Sequence, residues 1–375
     1  MNNTEKIKKL LTKFVSIPSF VDSNNNEEKI TLEIAKFFKV NFSEYKKISI
    51  QVEANRHNLL FIPKSPKIIF CCHLDTVQPS QKNQLEVKFE NDKAYGLGTK
   101  DMKGGWVSSL LATKKLTQKD REKVGFLFYC DEEYEQKGMK VMAKNHKQIP
   151  ASVECLVSPE SRFNLAYGSR GYALIEIEIT GKKAHTARPF QGTNAGEKMY
   201  ELYEKLSKSI EKKNNLGETT ITLVGATIGS LDESKGIVSQ FNSVPDYAKG
   251  IFSLRISDTK LTEELLKNKI EKTIKNLNVP GYLLKIKEFQ SPGLIASQKL
   301  LNKFTRSAKE AGYSIDLADP ALAGYNDVLM LSAQTGIPLI GFGPYGENNH
   351  SLNEYVSVQS IEDTANIFER FIVNF

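Results

Sequence analysis

No apolar run in the 375 residues approaches the roughly 18 consecutive residues needed to span a bilayer. The opening Met1-Asn2-Asn3-Thr4-Glu5 has none of the features of a signal peptide, so the expectation is a cytoplasmic protein with no membrane attachment. Cysteine is scarce. The four present, Cys71, Cys72, Cys130 and Cys155, lie in or at the end of apolar, strand-like runs, where they read as small buried hydrophobes rather than disulfide partners. The adjacent pair Cys71-Cys72 lacks zinc-finger spacing. A concentrated basic surface is also missing. The net charge of +7 comes from scattered lysines with acids between them, and Lys46-Lys47, Lys114-Lys115 and Lys182-Lys183 are pairs, not a stripe with interleaved aromatics. Nucleic acid is therefore not implied. There is no internal repeat or low-complexity tract. What remains, 40% hydrophobic and 25% charged residues, is ordinary globular composition, and the length suggests two domains.

The chain opens with helical spacing over Thr4 to Val15 and again over Glu27 to Asn41. Strands are expected at Ile48 to Glu53 and Asn58 to Ile62. A more buried strand at Ile68 to Cys72 follows, then an irregular hairpin over Lys82 to Tyr95. Gly104 to Leu116 reads as a helix whose Gly104-Gly105 start predicts close backbone packing near Asp101. Continuous apolar strands recur at Val124 to Cys130, Val153 to Val157 and Pro338 to Phe342, with a helix near Lys137 to Asn145. Strands alternating with helices predict an α/β fold with a mostly parallel, helix-covered sheet, in which ligands bind beyond the carboxyl ends of the strands.

Between these segments the pattern changes. Gly171 to Thr180 alternates polar and apolar residues as a half-exposed antiparallel strand does. A helix over Ala195 to Lys212, strands at Thr219 to Ile228 and Tyr247 to Ile256, a helix over Thr262 to Leu277 and a strand at Tyr282 to Phe289 complete the order β-α-β-β-α-β. That order is ferredoxin-like. The expected organisation is a catalytic domain in two parts, 1–170 and 289–375, interrupted by an inserted domain at 171–288.

The chemistry collects at the strand ends. His73-Leu74-Asp75, Asp131-Glu132-Glu133, Glu160 and Asn348-Asn349-His350 all fall just past apolar strands, and Asp101 follows the turn Gly96-Leu97-Gly98-Thr99-Lys100. His73 is a candidate metal ligand, with the Asp75 carboxylate expected to fix its tautomer. Two imidazoles and three carboxylates (His73, Asp101, Glu133, Glu160, His350) suit zinc, with cobalt or manganese as substitutes, better than calcium. Five ligands exceed what one catalytic zinc takes. They suit two ions about 3.5–4 Å apart that share Asp101, hold and acidify a water, and polarise the carbonyl it attacks. Glu132 and Glu133 are adjacent and diverge, which leaves one free as general acid and base. Asp131 is read as structural. His185 is either an ordinary loop histidine or a donor to a developing oxyanion, and Arg255 reads equally as a sheet-edge charge.

Taken in chain order, His73-Leu74-Asp75-Thr76-Val77, Gly96-x-Gly98-x-x-Asp101-Met102-Lys103-Gly104, Asp131-Glu132-Glu133, Glu160, Ala184-His185 and His350 resemble the M20 metallopeptidase family over essentially the whole chain. That family includes acetylornithine deacetylase, succinyl-diaminopimelate desuccinylase and the glutamate carboxypeptidases. The resemblance implies a zinc-peptidase sheet with an inserted lid and dimerisation domain. It implies one ion on His73, Asp101 and Glu160 and another on Asp101, Glu133 and His350, with Glu132 as general acid and base and Asp75 behind His73. His185 resembles the lid histidine that reaches the partner subunit's site, implying a homodimer. Arg255 and Asn242 resemble residues that grip a substrate carboxylate, and Gly324-Tyr325-Asn326-Asp327 resembles the Gly-rich turn beside the substrate. Two departures stand out: Ser158-Pro159-Glu160-Ser161 where the family has Gly-Glu-Pro, and Tyr325-Asn326 in place of Gly-Thr. The implied activity is removal of an N-acyl group from an amino acid, as in amino-acid biosynthesis. The alternative is a metallo-carboxypeptidase or dipeptidase acting beside a free carboxylate. A catalytically silent binding protein would have lost the base, yet Glu132 is present.

Overall fold

The computed structural model describes residues 2–210, 213–232, 234, 236–293, 296–321 and 325–375. The chain divides into two compact units, one of Met1–Gly168, Leu294–Asp319 and Asn326–Phe375, the other of Ser169–Gly293 and Pro320–Tyr325. Residues 320–325, expected in the second catalytic part, thus group with the other unit, because Arg170 donates to the Ala321 carbonyl and Tyr325 to the Gln290 side chain.

The first unit is built on a six-stranded sheet in the order Lys46–Glu53, Arg56–Ile62, Val124–Tyr129, Ile68–His73, Cys155–Ser158, Leu339–Gly341. The last four strands run parallel and the first two pair antiparallel at one edge. Ile68–His73 and Val124–Tyr129 are buried at every position, which is why both read as unbroken apolar runs instead of alternating ones. Ile68, Phe70, Cys72, Val124, Phe126 and Phe128 share one core with Ile7, Leu11 and Phe14 of helix Asn3–Val15, Phe38 of helix Glu28–Asn41 and Trp106 of helix Gly104–Lys115. Phe38 stacks on Phe61 with centroids 3.8 Å apart. The alternate residues Ile69, Cys71 and Leu127 are fully buried on the opposite face, where helices Lys137–Lys144 and Val328–Thr335 pack. Helices Gln298–Glu310 and Val358–Val373, which the sequence reading did not identify, complete the first layer.

A second, small sheet of Gly346–Glu347, Tyr355–Ser357, Lys93–Tyr95 and Lys88–Glu90 has a positional role. Pairing of Tyr355 with Tyr95 lays the loop that carries His350 beside the loop that leads to Asp101.

The other unit is a five-stranded antiparallel sheet in the order Gly236–Val238, Thr220–Asp232, Tyr247–Ile256, Gly171–Thr180, Gly281–Gln290. Helices Ala195–Ile210 and Glu263–Lys275 cover one face. Residues 211–212, the expected end of the first of these helices, lie outside the described residues. The alternation seen in the sequence is now explained. Ile175, Ile177, Ile179, Phe252 and Leu254 face the helices, while Glu176 and Lys249 pair across the open face at 3.1 Å. This is the ferredoxin-like arrangement expected from the element order.

Candidate metal centre and active site

His73 closes the strand Ile68–His73 and pairs with Tyr129, so the residues after Tyr129 emerge beside its imidazole. Its Nδ1 lies 3.1 Å from the Asp75 carbonyl oxygen, an atom that can only accept, so Nδ1 carries a proton and Nε2 is the nitrogen left for a ligand. Nε2 points to Asp101 Oδ1 at 2.9 Å. The expected role of the Asp75 carboxylate is corrected here. Its Oδ1 is 3.8 Å from Nδ1, and its two oxygens instead accept the backbone N–H groups of Glu132 at 3.1 Å and Glu133 at 2.8 Å. The backbone of Asp75 orients the histidine, and its side chain holds the acidic turn.

The loop that delivers Asp101 is held by a residue the sequence reading missed. Glu354 is 2% exposed and accepts N–H groups from Gly98, Lys100 and Asp101 at 2.9–3.1 Å. Gly98 is left-handed at φ 73°, and a Cβ there would sit 2.6 Å from Thr76 Cγ2. The Asp101–Met102 peptide is cis. Lys103 is buried, donates to Ser19 Oγ at 3.0 Å, and is lowered to about 7 by burial against the pull of Glu354 and Asp75.

Asp101 uses its two oxygens differently. Oδ1 faces His73, while Oδ2 accepts from Asn349 at 2.8 Å and lies 3.4 Å from His350 Nε2. His350 also approaches both oxygens of Glu133, at 3.1 and 3.0 Å. Ligand atoms of His73, Asp101 and Glu133 all lie within 4.8 Å of one another. Glu160 is outside that trio, but shares its field: desolvation first, then the Asp101 charge, push its carboxyl up to about 7. Desolvation also raises Glu132 well above the carboxylate range; His73 opposes this, and Asp327, Asp101 and Glu160 reinforce it. Burial disfavours charge on His73, but Asp101, Glu132 and Asp75 overcome it and raise the imidazole well above its usual value. Asp327, at the end of the motif Gly324-Tyr325-Asn326-Asp327, had no role of its own assigned from sequence. It is fully buried, accepts from Tyr129 Oη at 2.7 Å through Oδ1, and leaves Oδ2 without a partner among the described residues. Buried carboxylates in such excess call for positive charge, and two imidazoles with Nε2 turned inward among them form a donor set that fits divalent transition metals.

The remaining expected site residues belong to the other unit or are not described. His185 is exposed; its Nδ1 accepts the Ala187 N–H at 3.0 Å, and Thr186 donates to the Asn242 carbonyl at 3.1 Å, so these two loops adjoin. Arg255 is exposed on Tyr247–Ile256, with its guanidinium 5.9 Å from the Tyr172 ring centroid and no ion pair among the described residues. Tyr325 packs edge-on against Tyr172 at 5.5 Å. Gly324 lies outside the described residues.

The model of peptidase family M20/M25/M40 matches residues 69–374. The chain belongs to this family. It is 25% identical over 390 residues to a probable succinyl-diaminopimelate desuccinylase of Staphylococcus aureus (strain MRSA252), covering 94% of each chain. Among solved structures it resembles aminopeptidase PepT of Bacillus cereus, with a TM-score of 0.75 at 18% identity over 99% of this chain and 98% of that one. It also resembles a Bacillus subtilis M20 peptidase described as dinuclear metal-binding, with a TM-score of 0.67 at 14% identity over 99% and 98%. The M20 chain is thus a metal-dependent hydrolase of amide or peptide bonds. No helix among the described residues is long and apolar enough to cross a membrane.

Proposed function

We propose that this M20 hydrolase removes the acyl group from an N-acyl amino acid, using two zinc ions. His73, Asp101 and Glu160 would hold one ion, and Asp101, Glu133 and His350 the other. The observation that carries this reading is the division of labour at Asp101, whose two oxygens face two different imidazoles. The dinuclear M20 relative supports it. Ions held there supply acidification of a water and polarisation of the scissile carbonyl.

The chain's own residues do the rest. Glu132 takes the proton from the attacking water and delivers it to the leaving nitrogen. Asp75 fixes the backbone of Glu132 and Glu133, and therefore the divergence of their side chains. His185 accepts at Nδ1, which puts its proton on Nε2 in the neutral ring and makes that nitrogen a donor for a developing oxyanion. Arg255, without an ion pair among the described residues, together with Asn242 and Gly324, would bind the substrate carboxylate.

The reading includes a homodimer formed through the inserted lid, with His185 acting in the partner's site. Strand Thr220–Asp232 supports it, since Val224, Ile228 and Leu231 are 57%, 47% and 50% exposed along its length. It also includes a cytoplasmic location, which suits four free, buried cysteines. The near full-length likeness to a desuccinylase-named chain favours deacylation over peptide cleavage.

The test is hydrolysis by zinc-reconstituted protein of N-succinyl-diaminopimelate, N-acetylornithine, N-acetyllysine and a few dipeptides, with a chelated sample beside it. Chelator-sensitive turnover of one acylated amino acid is expected. Turnover of dipeptides alone would assign the carboxypeptidase or dipeptidase activity instead. Glu132→Gln should abolish hydrolysis while leaving zinc content intact, and wild-type activity in that variant would remove Glu132 from its assigned role.

A further inference from the structure

The turn that carries Glu132 and Glu133 is held from the side opposite Asp75 by a buried charge network. Arg56, at the start of Arg56–Ile62, is 6% exposed and grips Glu27 with two nitrogens, Nε to Oε2 at 2.7 Å and Nη2 to Oε1 at 2.6 Å. The same Nη2 reaches Asp131 Oδ1 at 2.5 Å, and the Asp131 N–H donates to Glu27 Oε1 at 3.0 Å. Asp131 in turn organises everything after it. Its backbone is left-handed at φ 71°, its carbonyl accepts from the Gln136 N–H at 2.6 Å, and its Oδ2 accepts N–H groups from Glu135 and Lys137, each at 3.1 Å. Two residues along the same strand, Asn58 closes the neck of the loop. It donates to the Gly138 carbonyl at 2.8 Å and accepts from the Cys130 N–H at 3.2 Å.

A buried ion network is a poor stabiliser, because desolvating three charges offsets most of their attraction; its best-attested use is to select one geometry. Here the selected geometry is that of Asp131, and any rotation at Asp131 swings Glu132 and Glu133 together. We infer that Arg56, acting through Asp131 and fixed by Glu27, is a positioning residue that aims the acid/base glutamate and its metal-binding neighbour. The guanidinium fork is required, since a lysine ammonium cannot reach Glu27 bidentately and Asp131 at once. Glu53, which also touches Arg56 at 2.9 Å, is 42% exposed at its side chain and lies on the outer side of the network.

This inference rests on the proposed roles of Glu132 and Glu133. The experiment compares zinc-loaded wild type with Arg56→Lys, Asp131→Asn, the double variant and Glu53→Gln. It measures kcat and KM on whichever acylated amino acid or dipeptide is turned over, zinc affinity by competition with a chromophoric chelator, and Tm. Misplacing the turn by about 1 Å should lower kcat about 100-fold in Arg56→Lys and Asp131→Asn with KM little changed. Zinc affinity should fall about 10-fold as Glu133 moves. The double variant should be no worse than either single one, and Glu53→Gln should match wild type. A lowered Tm with wild-type kcat and zinc affinity would overturn the inference and leave the network purely structural. If Arg56→Lys does not fold, Asp131→Asn alone decides by the same two readings. Failure of the acid/base assignment reads differently, as turnover retained in Glu132→Gln.

Discussion

Replacing Gly105 by alanine tests how tightly the metal loop and the Glu160 turn are packed. Gly105 sits in the first turn of Gly104–Lys115, and a Cβ there would lie 1.9 Å from the Pro159 carbonyl oxygen and 2.9 Å from its carbonyl carbon. Carbon contacts below 3.0 Å are essentially never seen, so the backbone at Pro159 must retreat by about 1 Å or the helix must move as far. Neither is easy. Ser158, just before, closes a fully buried parallel strand, and the Phe342 N–H donates to its carbonyl at 3.0 Å. Overpacking of this kind costs about 1–3 kcal/mol, and the gain in helix propensity from alanine returns at most about 1 kcal/mol. Because the clash is with backbone atoms the cost lies near the upper end of that range, and the expected net loss is about 2 kcal/mol, read as a lower Tm and lower denaturant midpoint. Because Glu160 follows Pro159 directly, zinc affinity should fall as well. A Tm equal to or above wild type, with zinc binding unchanged, would refute the reasoning by showing that the propensity gain outweighs a contact too soft to matter.

Four further outcomes are expected. Glu354→Ala leaves buried N–H groups of the Asp101 loop unpaired, at about 1–3 kcal/mol each, and should loosen zinc binding as well as lower Tm in thermal melts. Phe38→Ala removes the ring stacked on Phe61 and should cost about 3–5 kcal/mol in chemical denaturation with kcat of the folded fraction unchanged. His185→Ala should cost about 2.7–4 kcal/mol of transition-state stabilisation if its Nε2–H meets the oxyanion, and an unchanged kcat would return it to an ordinary loop histidine. Stripping zinc with a chelator should lower the melting temperature, since ligand at about 100 times its Kd stabilises by about 2.7 kcal/mol; an unaltered melt would argue against tight native-state binding.

Four of the expected site residues share one property: they abut an unbroken apolar strand. His73 ends a buried parallel strand and Glu132, Glu133 and Glu160 follow such strands, while alternation along Gly171–Thr180 and Tyr247–Ile256 marked two strands of the inserted sheet, whose edge strand Gly236–Val238 was not expected. The supporting residues were not legible because their partners are remote in the chain. Glu354 meets the Asp101 loop across more than 250 positions, Arg56 meets Asp131 across 75, and Asp327 meets Tyr129 across 198. A carboxylate that serves backbone N–H groups has no spacing signature, and Asp75 illustrates this. Its position beside His73 suggested a side-chain contact, yet in the fold its carbonyl faces the ring and its carboxylate turns to the Asp131–Lys137 turn. Helices Gln298–Glu310 and Val358–Val373 are amphipathic and were not among the expected elements.

The central claim is that Asp101 stands between two metal ions. Zinc-edge anomalous diffraction from crystals of the zinc-loaded protein tests it directly. Two peaks are expected, one among His73, Asp101 and Glu160 and the other among Asp101, Glu133 and His350. A single peak, or two that do not share Asp101, would contradict the account.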